Sequence, residues 1–148
     1  MTVANNNILS GSAITFHISA RLKDVRLLAL STRALLTSLG FGTLLSYQLE
    51  LVVTEAANNI IEYGLQAQSK DSICMKFAVQ DNILSCTFID NGHPVEFLEK
   101  QSKAEKRVDV ESFPVCKRGL CIIHQIMDTV SYTNAKGKNV LTLTKRIS

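Results

Sequence analysis

A two-layer α/β sandwich, with helices on one face of a mixed, largely antiparallel sheet, is the fold class that the sequence predicts. Five short segments read as strands, the first of them alternating apolar and polar residues at the two-residue period of a half-buried strand. Two pairs of them are separated by only a few turn-forming residues, which implies antiparallel neighbours. Three other segments carry apolar residues at helical spacing. With 148 residues, 46% hydrophobic and 20% charged, the chain has material for one packed core, and two separate cores would both be marginal.

Residues 1–12 read as a flexible N-terminal arm, and residues 13–148 as one domain. Ala13 to Ala20 alternates, with Ile14, Phe16 and Ile18 on one side and Thr15, His17 and Ser19 on the other. From Leu22 to Leu39 the apolar positions shift to Val25, Leu28, Leu35, Leu36 and Leu39, the stripe of a helix stopped at Gly40. A second stripe, Leu45, Leu49, Val52, Val53, Ala56 and Ile60, predicts a helix from about Leu44 to Tyr63, stopped at Gly64. Ser72 to Val79 and Ile83 to Ile89 read as a hairpin around Gln80-Asp81-Asn82. Residues 95–117 are polar and mixed in charge and read as a mobile loop with one helical turn at most. A helix from near Gly119 to about Met127 follows, and Thr129 to Thr133 with Asn139 to Arg146 form a terminal hairpin.

Several function classes are disfavoured. The net charge of +3 is far from the basic excess of a nucleic-acid face. The second helix turns Ser46, Gln48, Glu50 and Thr54 outward, with no Lys or Arg to reach phosphate or guanine. No run approaches the roughly 18 apolar residues of a membrane span. The polar start Met1-Thr2-Val3-Ala4-Asn5-Asn6-Asn7 is not a secretory signal, so a cytoplasmic location is expected. The four cysteines, Cys74, Cys86, Cys116 and Cys121, form no Cys-x-x-Cys pair and are expected reduced, with Cys74 and Cys86 serving as small core residues. His17, His93 and His124 are not spaced as metal ligands.

Three polar constellations stand out. Glu55 and Asn59 lie one turn apart on the second helix, at the border of its apolar stripe. Asn is a poor helix former, so Asn58-Asn59 costs propensity without an obvious structural return. Asp90-Asn91-Gly92 ends an apolar strand; such a pair usually makes a turn, but Asp90 could also accept a hydrogen bond from an exocyclic amine while Gly92 lets a flat ring approach. Lys117-Arg118-Gly119-Leu120 opens a helix, where backbone N–H groups attract anions.

In this order the three resemble the GHKL ATPase superfamily, and their spelling comes closest to the small bacterial anti-sigma factor serine kinases. The matching stretches are Thr54-Glu55-Ala56-Ala57-Asn58-Asn59-Ile60-Ile61-Glu62, Ile89-Asp90-Asn91-Gly92-His93-Pro94 and Arg118-Gly119-Leu120-Cys121-Ile122-Ile123. Met127-Asp128-Thr129-Val130 and Asn139-Val140-Leu141-Thr142-Leu143 also fit. The resemblance implies the Bergerat fold, an ATP cofactor and Mg²⁺ held by Asn59 against the triphosphate. It implies Glu55 as general base, Asp90 and Gly92 at the adenine, and Arg118, Gly119 and Leu120 where a lid over residues 95–119 closes on the nucleotide. It further implies a protein-serine kinase that phosphorylates an anti-sigma-factor antagonist, possibly holds a sigma factor, and works as a homodimer. The chain departs from the pattern at Lys117 and Cys121, where Gly is frequent, at Tyr63, where His is frequent, and at Val95, where an aromatic is frequent.

Two other readings stand beside the kinase. The glycine-poor lid keeps open a non-catalytic, nucleotide-gated protein that sequesters a partner. The ATPase half of a two-component sensor is less favoured, because no upstream helix with a phosphorylatable His is visible.

Overall fold

The structure is a computed structural model that describes residues 13–65, 71–96, 98 and 119–147. Five strands form one sheet: β1 (Ala13–Ser19), β2 (Ser72–Gln80), β3 (Ile83–Asp90), β4 (Thr129–Ala135) and β5 (Lys138–Arg146). Their order is β1-β2-β3-β5-β4, and every neighbouring pair is antiparallel. The sheet expected to be mixed or largely antiparallel is therefore wholly antiparallel. Both predicted hairpins close through two-residue turns with positive φ, at Asp81-Asn82 (52° and 61°) and Lys136-Gly137 (54° and 74°). That conformation matches the right-handed twist of the flanking strands.

The alternation decides which face is buried. Ile73, Met75, Phe77 and Val79 of β2 share the inner face with Leu84, Cys86 and Phe88 of β3 and with Leu141 and Leu143 of β5. They join one core with Val25, Leu28 and Leu36 of α1 (Leu22–Ser38) and Leu49, Val52, Val53 and Ala56 of α2 (Thr43–Asn59). Burying a side chain the size of Phe77 or Leu49 contributes about 1.5–3 kcal/mol, so this seam carries the two-layer arrangement. The Arg33–Glu50 ion pair between the helices, 2.8 Å long and partly exposed, adds only about 0–1 kcal/mol.

Gly40 ends α1 as predicted. Its φ of 84° is left-handed, and the N–H groups of Gly40 and Phe41 bond the carbonyls of Thr37 and Leu36. The second helix differs from expectation. Its α-helical part stops at Asn59, and Ile60–Gly64 continues as a π-helical turn, closed by Leu65 N–H on the Ile60 carbonyl at 2.8 Å. Most of the predicted polar loop lies outside the described residues, as does the N-terminal arm. At the loop's start, however, Val95 and Leu98 are core residues, and the Val95 N–H donates to the Tyr132 hydroxyl at 2.9 Å. The last helix, α3, is short, running over Leu120–Ile126.

Candidate nucleotide site

Glu55 and Asn59 lie on the last turn of α2, where it meets the π turn. Asn59 is only 2% exposed, and among the described residues its Nδ2 has no hydrogen-bond partner. Leaving a buried amide group unsatisfied costs about 1–3 kcal/mol. A π turn widens the helix at this point by moving the backbone bond from i+4 to i+5, a device that recurs at functional sites. The propensity that Asn58-Asn59 costs is thus spent at the end of the α-helical part, with Asn59 turned inward. Glu55, one turn earlier, is half-buried.

Asp90 is the hub of a second cluster. It is the last residue of β3 and falls on the inner, apolar face, 4% exposed. Its Oδ1 accepts the Gly92 N–H at 2.8 Å and Nδ2 of Asn139 at 3.0 Å. The same Nδ2 donates to the Gly92 carbonyl at 2.7 Å, and Nδ2 of Asn134 donates to Oδ1 of Asn139. Burial pushes the Asp90 carboxyl above its usual range, the bonds from Asn139 and Gly92 pull it back, and the charge of Asp71 adds to the rise. Asn139 is wholly buried and was not among the residues singled out for a role. A signal was present, since Asn139 is in phase with Leu141 and Leu143 and so occupies an apolar position of β5 with a polar side chain.

Gly92 carries a structural duty within the chain itself. A Cβ there would lie 2.6 Å from the Gly64 carbonyl oxygen and 2.6 Å from Cδ2 of Leu65. The room its missing side chain leaves is taken by the chain's own π turn, and the His93 N–H locks the contact with a 2.8 Å bond to the Gly64 carbonyl. Gly64 in turn has Asp90 nearby, with Oδ1 lying 3.9 Å from where a Cβ would be. The Asn59 end of α2 and the Asp90 hub are therefore joined through a backbone contact that excludes a side chain at Gly92 and leaves Gly64 only tight room, 3.2 Å from a Cβ to the His93 carbonyl oxygen.

Gly119 completes the arrangement at the other side of Glu55. Its φ of 70° is left-handed, and a Cβ would fall 1.9 Å from Oε2 of Glu55. The backbone at the start of α3 thus rests directly on the Glu55 carboxylate. Leu120 is 5% exposed and belongs to the core. Arg118, like Lys117, lies outside the described residues. Cys121 is buried and disulfide-bonded, which corrects the expectation of reduced thiols throughout. Pairing depends on which Cβ atoms the fold brings within about 4 Å, and spacing alone does not give that. Cys74 and Cys86 are free. Burial pushes the Cys86 thiol up to about 12, an unreactive core residue as expected. Cys74, out of phase with the inner residues Ile73 and Met75, is only half-buried and not the core residue expected.

Taken along the chain of contacts, Gly119 touches Glu55, Asn59 follows one turn on, and the π turn leads through Gly64 and Gly92 to Asp90 and Asn139.

The sequence profile of the family described as histidine kinase-like ATPase domain matches residues 18–145. The fold is similar to the crystal structure of the RsbU and RsbW domains of Rv1364c from Mycobacterium tuberculosis, with a TM-score of 0.65 and 18% identity over 91% of this chain. The present chain spans about a third of that one, 32%. It is also similar to a chain of the SiaB–SiaC complex from Pseudomonas aeruginosa, with a TM-score of 0.60, 12% identity, and coverage of 89% of this chain and 88% of that one. No protein of curated function matches at significant sequence similarity.

Proposed function

Since the chain belongs to the histidine kinase-like ATPase family, we propose that it is an ATP-dependent protein-serine kinase acting as an anti-sigma factor. In this reading it phosphorylates an anti-sigma-factor antagonist in a partner-switching pathway that regulates transcription, and it works as a homodimer in the cytoplasm. Nucleotide binding follows from the family. The observation that carries the finer reading is the pairing of Glu55 with the unpartnered, buried amide of Asn59 one turn away. The similarity to an RsbW-containing structure and to a chain found in complex with SiaC points in the same direction.

The site fits Mg²⁺. The Asn59 Nδ2 is buried with no partner among the described residues, and turning that amide end for end would place an oxygen there, the ligand a hard cation takes. When bound, Mg²⁺ neutralises charge on the phosphates. Asp90 accepts a hydrogen bond from the exocyclic amine of the adenine, and Arg118, Gly119 and Leu120 are assigned to the phosphate side. Glu55 takes the proton from the attacking serine hydroxyl as its oxygen bonds the γ-phosphorus and the bond to ADP breaks.

The competing reading is a nucleotide-gated protein that sequesters a partner without phosphate transfer. It draws on Cys121, buried and disulfide-bonded where the resemblance places Gly. Incubation with γ-labelled ATP, Mg²⁺ and candidate antagonist proteins separates the two. The kinase reading expects label on an antagonist serine; ATP binding with no labelled protein supports the sequestering reading.

A further inference from the structure

The two nitrogen donors on Asp90 converge on one of its two oxygens. Oδ1 accepts both the Gly92 N–H, at 2.8 Å, and the Asn139 amide, at 3.0 Å. A carboxylate oxygen has two lone pairs, so Oδ1 is saturated by the protein itself. Oδ2 receives no hydrogen bond among the described residues. The Asn139 amide is equally committed. Its Nδ2 serves the Asp90 carboxylate and the Gly92 carbonyl, both pure acceptors, and its oxygen accepts from Asn134. That set of partners fixes which end of the amide faces Asp90.

Purines differ in what they ask of a carboxylate. The Watson–Crick edge of adenine carries one donor group, the N6 amine, beside the N1 acceptor. The same edge of guanine carries two adjacent donors, N1–H and the N2 amine, which a free carboxylate accepts with one oxygen each. A carboxylate with a single open oxygen serves adenine fully, whereas the two parallel donors of guanine must share that one oxygen and lose the straight two-point geometry that makes bidentate pairs strong.

We infer that Asn139 is a specificity-determining positioning residue: by occupying Oδ1 of Asp90 it denies guanine its two-point contact and makes the site select adenine. The inference rests on Asp90 as the reader of the base. Asn139 acts through Asp90, to which its amide is committed. It is fully buried, 49 residues from Asp90 in sequence, and is brought there by the β3–β5 register, which pairs Asp90 with Asn139 directly.

Titrations of Mg·ATP and Mg·GTP against the full chain, its Asn139→Leu variant and its Asn139→Thr variant test this, each checked for cooperative melting. The unmodified protein is expected to prefer ATP. Asn139→Leu should narrow that preference on the order of tenfold, with GTP binding more tightly than to the unmodified protein. Asn139→Thr, which keeps a hydroxyl donor, should restore most of the preference. If Asn139→Leu fails to melt cooperatively, Asn139→Ala removes the same donor without added bulk and carries the same expectation. A loss of affinity for both nucleotides in equal measure, with the preference unchanged, overturns the inference and leaves Asp90 as base reader intact. Failure of the unmodified protein to bind either nucleotide overturns the nucleotide reading itself, and the inference with it, before any substitution is made.

Discussion

Asn59 and Asp90 are both almost fully buried, yet each keeps part of its hydrogen-bonding capacity unused by the described protein. Polar groups left in that state are costly unless something else completes them. For Asn59 the proposed completion is Mg²⁺ with the triphosphate. Asn59→Ala should abolish the Mg²⁺ dependence of ATP binding while the protein still melts cooperatively; unchanged affinity with normal Mg²⁺ dependence in that variant would remove Asn59 from the site. For Asp90 the test is pH. Its carboxyl is raised by burial, so the folded chain holds a proton in a window above the usual carboxylate value where the unfolded chain does not. Stability then falls as pH rises through that window. Nucleotide affinity moves the other way, because only the ionised carboxylate accepts freely from an amine. Measured from about pH 4 to 7, ATP affinity should climb more steeply with pH in the unmodified protein than in Asp90→Asn, and parallel profiles would contradict the assignment. Glu55 and Asn59 were legible as polar residues at the border of an apolar stripe, Asn59 against helix propensity, and Asp90 as an acid closing an apolar strand. Asn139 carried a related signal, a polar side chain in an apolar phase, but its meaning depends on the cross-strand pairing with Asp90, and register between distant strands is not written in local pattern.

Helices and strands were largely readable because each has its own period and its own stop. The Gly40 stop, the Asp81-Asn82 turn and the alternation of β2 and β3 follow from local chemistry. The π turn did not, since Ile60–Gly64 continues the same apolar stripe and differs only in which carbonyl each N–H reaches. This element is what joins the two halves of the site. Gly92→Ala would drive a Cβ to 2.6 Å from the Gly64 carbonyl, and backbone cannot yield as a side-chain tip can. Urea denaturation should show a loss of about 1–3 kcal/mol, the range for overpacking; unaltered stability would mean that the π turn and the β3 end are not locked together. Gly119→Ala faces a flexible neighbour, the Glu55 carboxylate, but also a left-handed φ of 70°. It should cost roughly 1 kcal/mol of stability and displace Glu55, so phosphate transfer should fall more than nucleotide binding does.

At the scale of the molecule, an antiparallel sheet of order β1-β2-β3-β5-β4 brings the end of β3 beside the start of β5 and lets the helical layer close the core over both. The antiparallel, two-layer character was legible from the two hairpins, whereas the insertion of β5 between β3 and β4 was not, because a hairpin fixes its own partner and says nothing of its other edge. Among the described residues, no helix is long and apolar enough to cross a membrane. The proposed activity needs a second protein, and its chemistry depends on one proton. Glu55→Gln preserves shape and hydrogen-bonding capacity but removes basicity, and general-base assistance contributes about 10²–10⁴-fold to rate. The most direct measurement is single-turnover transfer of labelled γ-phosphate from Mg·ATP to an antagonist serine, made in parallel on the unmodified protein and on Glu55→Gln, where product release cannot mask chemistry. The account predicts transfer by the unmodified protein and a fall of at least about a hundredfold in the variant, with ATP affinity kept within a few-fold; transfer at the original rate by Glu55→Gln, or none by the unmodified protein, would contradict it.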